Sequence, residues 1–91
     1  MNGVRIAPAR FKSMLEEKGF NPHALAREIG STSYQMWRLM SDRHTTSFRF
    51  LARLVPVFDL PSVVDIIADE DQAEAFTWWY IEATRPRRKT V

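Results

Sequence analysis

Apolar positions recur along this chain at helical spacing, in short runs set off by capping residues, glycines and prolines. Phe11, Met14 and Leu15 stand at i, i+3 and i+4, behind Pro8 and ahead of Gly19, which predicts a first helix over residues 9–18. Asn21-Pro22 is an N-cap followed by a favoured first helical residue. It opens a second helix over residues 22–29, with Leu25, Ala26 and Ile29 inward and Gly30 as its stop. The pattern restarts almost at once. Thr32 caps a third helix whose apolar stripe is Met36, Leu39 and Met40, leaving Ser33, Tyr34, Trp37 and Arg38 off that stripe.

Residues 42–46 are polar and read as a turn. Ser47 then caps a fourth helix with Phe48, Leu51, Leu54 and Val55 inward, which Pro56 is expected to end or kink. Pro61-Ser62 opens a short fifth helix with Val63, Ile66 and Ile67 inward. A last segment covers residues 70–84. Its run F-T-W-W-Y-I at 76–81 has the composition of a strand, but its acidic start and basic finish favour a helix. The expectation is an all-α fold, a compact bundle of five to six helices in one small domain of 91 residues. Within it we expect a core over residues 1–60, a C-terminal helical segment over 61–84 and a basic tail over 85–91.

Composition narrows the function. The chain has no cysteine, which removes disulfide scaffolds, thiolate zinc sites and cysteine nucleophiles. Two histidines, His23 and His44, without cysteine make a poor metal site, and no metal or cofactor is expected. No apolar run approaches a membrane span and the N-terminus lacks a signal-peptide stretch, so the expectation is a cytoplasmic protein with no membrane partner. Nor does catalysis find a constellation. No spacing singles out a Ser, His and Asp triad, Glu16 and Glu17 point in different directions on one helix, and there is no phosphate-binding glycine loop.

Charge is divided along the chain. Residues 1–58 hold nine lysines and arginines against four acids, residues 59–84 hold seven acids and no base, and the tail adds Arg85, Arg87, Arg88 and Lys89. A basic body suits a polyanion, which the acidic segment would repel, so the two parts are expected to face different partners.

The stretch L-A-R-E-I-G-S-T-S-Y-Q-M-W-R-L joins two short helices by a tight turn containing glycine. With Ser47-Phe48 opening a following helix that carries Leu51 and Leu54, it resembles the Cro/phage-repressor type of helix-turn-helix proteins over roughly residues 9–60. It departs from that pattern at Ser31, usually apolar, at Met40, where an acid is common, at Asp42, where glycine is frequent, and at Pro56. The resemblance implies a lambda-repressor-like fold and a small transcription regulator. It would be a repressor bound as a homodimer to a palindromic operator in double-stranded DNA. It assigns base contacts to Ser33, Tyr34, Gln35, Trp37 and Arg38. Arg38 suits guanine and Gln35 suits adenine. Phosphate contacts are expected from His23, Arg27, Arg43, Arg49 and Arg53, with Arg5 and Arg10 as further candidates.

The plainer roles of the same residues stay open at this point. A large aromatic such as Trp37 is as often core as contact surface. The apolar C-terminal segment either caps the monomer or forms a dimer interface, and we expect the latter, through Phe76, Trp79 and Tyr80. The alternatives to specific DNA recognition are a protein-interaction module (antitoxin or anti-activator) and a non-specific nucleic-acid-binding protein.

Overall fold

A computed structural model describes residues 3–40 and 45–85. Its elements run β1 (Val4–Arg5), α1 (Pro8–Lys18), α2 (Pro22–Ile29), α3 (Ser33–Leu39), β2 (Thr45–Thr46), α4 (Phe48–Phe58), α5 (Leu60–Asp65) and α6 (Glu70–Thr84). The described residues are thus mostly helical, in six helices, with one small two-stranded sheet.

Local chemistry sets most of the boundaries. Pro8 occupies the first turn of α1, one residue before the expected start. Asn21 accepts the Ala24 amide at 2.7 Å, Thr32 the Gln35 amide at 3.2 Å and Ser47 the Phe50 amide at 3.1 Å, so α2, α3 and α4 each start on a side-chain cap. Asp69 does the same for α6, accepting from Asp71 and Gln72.

One expectation needs correction. Thr45 and Thr46 are not turn residues: they pair antiparallel with Arg5 and Val4 and form β2. The N-terminal segment is held on its other side as well, by the Ala7 amide to the Ile66 carbonyl and the Ala68 amide to the Arg5 carbonyl. Pro56 does not end α4, which runs to Phe58. A proline removes one helical hydrogen bond. Here the next turn still closes through the Asp59 amide on the Val55 carbonyl at 2.7 Å, and buried Phe58 anchors it edge-to-face on Phe20. The run at 76–81 is helical throughout, as expected over its strand composition. Thr77 and Thr84 donate their hydroxyls to the carbonyls of Ala73 and Tyr80 one turn back, a contact by which threonine is accommodated within a helix.

The core is a single cluster. It joins Phe11, Met14 and Leu15 of α1 to Leu25, Met36, Leu39, Leu51, Leu54, Phe58, Val63 and Phe76, so the C-terminal segment shares one interior with the preceding helices. Asp59 is the joint between α4 and α5. It holds φ 88° and ψ 161°, a conformation normally left to glycine, and caps α5 through the Ser62 amide at 2.9 Å. That backbone N–H, with the Ser62 hydroxyl beside it, keeps the Asp59 carboxyl below its ordinary pKa. No helix among the described residues is long and apolar enough to cross a membrane.

Candidate nucleic-acid interface

Three residues, Gly30, Ser31 and Thr32, connect α2 to α3. Gly30 takes φ 68°, so the chain leaves α2 in a left-handed step that costs glycine little. The Ser31 amide reaches back to the Ala26 carbonyl at 2.8 Å, closing the helix end in a Schellman arrangement. Arg53 of α4 completes it from outside: its guanidinium donates to the Ile29 carbonyl and, at 2.9 Å, to the Gly30 carbonyl. Carbonyls at a helix end lack partners within the helix, and Arg53 supplies theirs.

On the inner side, Leu25 and Ala26 of α2 and Met36 and Leu39 of α3 are buried, which fixes both helices against the core. The opposite side of α3 therefore faces out. Tyr34 is 70% and Trp37 63% exposed, Gln35 is exposed, and Ser33 and Arg38 are half-buried. The five expected base-contacting residues thus share the outward part of one seven-residue helix, about 10 Å long. Of the two readings of Trp37, the structure gives the exposed one. Its ring lines an open groove with Pro8, Lys12 and Pro22. The Arg38 guanidinium lies 5.9 Å from the centre of the Tyr34 ring, one helical turn back, a cation–π distance that orients both side chains.

Among the expected phosphate-contacting residues, His23 sits on the first turn of α2 and its Nδ1 is 2.8 Å from the Ser33 hydroxyl. The starts of α2 and α3 are therefore side by side. Helix starts present amides without internal acceptors and a partial positive charge, a favourable setting for an anion. Arg27 and Arg49 are exposed on α2 and α4. Arg53 is engaged within the fold. Its guanidinium is turned onto the α2–α3 turn and stacks 5.9 Å from the Phe50 ring, so it positions the motif. Arg10 likewise donates to the Asp65 carbonyl at 3.2 Å. The Arg5 side chain is exposed on β1, and Arg43 lies outside the described residues.

At the expected dimer surface one residue is corrected. Phe76 is fully buried, packed edge-to-face on Phe48 at 5.5 Å, and it presents nothing to a partner. Trp79 and Tyr80 are half-buried against it, with ring centroids 6.0 and 5.9 Å away. The large apolar side chains that α6 turns outward are Trp78, 63% exposed, and Ile81. Phe76, Trp79 and Tyr80 stand at i, i+3 and i+4 and so share one face of α6; helical spacing was the available signal for that face, and the structure turns it to the core. Arg53 and Gln72, which clamps β1 through the Arg5 amide and the Gly3 carbonyl, carry no such local signal. Scanning the chain against family models, curated proteins and solved structures finds no match.

Proposed function

We propose that this chain is a sequence-specific double-stranded-DNA-binding transcription regulator of the Cro/phage-repressor type, working in the cytoplasm as a dimer on a palindromic operator. The observation that carries the reading is the outward face of α3. Ser33, Tyr34, Gln35, Trp37 and Arg38 are gathered on one short helix whose back is locked by Met36 and Leu39 and whose entry turn is braced by Arg53. A short helix fits the major groove, and a rigid mount keeps its side chains in register with base edges. Arg27 on α2 and Arg49 on α4 supply exposed positive charge for the phosphates. Repression follows from occupying promoter DNA, since the reading assigns the chain no catalysis.

The test is a titration of labelled duplex DNA at several salt concentrations. Binding by this surface loses affinity steeply and log-linearly with salt. A second reading has its own support in the exposure of Tyr34 and Trp37: two large rings outside the core suit a protein partner as well as a groove. That partner would bind with little salt dependence, and no duplex would compete with it.

A further inference from the structure

The outer face of α6 is built in three parts. Asp71 and Glu74 stand exposed at its start, Ala75, Trp78 and Ile81 in the middle, and Glu82 and Arg85 at its end, where they form an ion pair at 3.5 Å. Spacings of three and four residues put them all on one side of the helix, opposite buried Phe76. The result is an apolar centre between an acidic head and a foot whose one base, Arg85, is paired with Glu82.

We propose that this face pairs antiparallel with the same face of a second copy of the chain, about a two-fold axis at Trp78. The proposal gives a register to the dimer half of the reading above. Charge selects the direction: parallel pairing would set the two acidic heads, each with Asp71 and Glu74, against one another, whereas antiparallel pairing brings an arginine to each head. Antiparallel pairing puts residue positions that sum to 156 at equal height. Trp78 then meets the partner's Trp78, and Arg85 lies level with the partner's Asp71, with the partner's Glu74 one turn away. Ile81 stands at the height of the partner's Ala75, where the small side chain leaves room for the larger. Glu82 is level with the partner's Glu74 but on the other side of the seam, and each is nearer an arginine than the other. Asp71 and Arg85 are about 21 Å apart along one helix, so two charge clusters bracket the apolar centre. One helix face is a small interface by the standard of stable dimers, so the pairing is reversible and gains from two DNA half-sites.

The experiment is sedimentation equilibrium of the full chain without DNA, with circular dichroism of each variant as the check on folding. All altered side chains are exposed, so helicity stays at the wild-type level. The expected results are a reversible dimer that weakens with salt, a monomer for Trp78→Glu, and roughly tenfold weaker pairing for Arg85→Glu. Adding Asp71→Arg to Arg85→Glu recovers affinity. A wild-type chain that stays monomeric, a dimer that survives Trp78→Glu, or a double exchange that recovers nothing would each overturn the pairing. None of these results bears on DNA recognition by α3, which is measured separately.

Discussion

The Nδ1 of His23 and the hydroxyl of Ser33 lie 2.8 Å apart and tie the first turn of α2 to the first turn of α3. These turns are ten residues apart in sequence, and each is also capped by its own side chain. The tie holds the entry ends of the two helices at one spacing. A double-mutant cycle of His23→Ala and Ser33→Ala, read by urea unfolding, is expected to return a coupling of about 0.5–1 kcal/mol. Additive effects would show that the two side chains act independently.

Arg53 and Arg49 stand four residues apart on α4 and are assigned different work. Arg53→Ala removes the donor to the Ile29 and Gly30 carbonyls and is expected to cost about 1 kcal/mol of folding stability while leaving the salt slope of DNA binding unchanged. Arg49→Ala leaves stability alone and lowers that slope by about one. Exchanged phenotypes would reverse the two assignments.

Burial separates the aromatics just as sharply. Phe76→Ala empties a fully enclosed site and is expected to cost roughly 3–5 kcal/mol, enough to unfold much of a small domain. Trp37→Ala removes an exposed ring, shifts stability by no more than about 1 kcal/mol and weakens DNA binding. Thermal melts beside binding titrations distinguish them, and a large stability loss at Trp37 would make it a core residue.

Asp59 predicts an acid-side signature. Its folded pKa lies below the ordinary value of 3.8, because the Ser62 backbone N–H and hydroxyl bond the ionised form. Its contribution is therefore complete above 3.8 and disappears as acid carries the folded group through its lower pKa. The stability gap between wild type and Asp59→Ala is expected to close over that range. Asp59→Gly, which suits φ 88°, retains more stability than Asp59→Ala at neutral pH. A gap unchanged by acid would remove the carboxylate from the cap.

The parts of the fold that were legible in sequence are those decided locally. Asn21, Pro22, Gly30 and Thr32 bound α2 and α3 at the residues their chemistry implies, because a cap or a left-handed stop acts within four residues. The β1–β2 pairing was not legible. Val4–Arg5 and Thr45–Thr46 are two-residue strands far apart in the chain, too short to carry a period. Which of the two outcomes expected at Pro56 holds was not legible: α4 runs on because one lost hydrogen bond was outweighed by the burial of Phe58, a tertiary contact. The outward residues of α3 followed from periodicity, whereas the role of Arg53 depends on a carbonyl pair 23 and 24 residues away. In the W-W-Y run, composition announced an apolar surface but only the helical period separates Phe76 inside from Trp78 outside.

The most direct test of the central claim is selection from a random double-stranded DNA pool at about 150 mM salt, run in parallel on the wild type and Arg38→Ala. The account predicts an enriched palindrome for the wild type. For the variant it predicts the same site with one base position relaxed and affinity weakened by about 1–3 kcal/mol. A folded wild-type chain that enriches no sequence, or an Arg38→Ala variant with unaltered preference, would contradict the claim that α3 reads DNA.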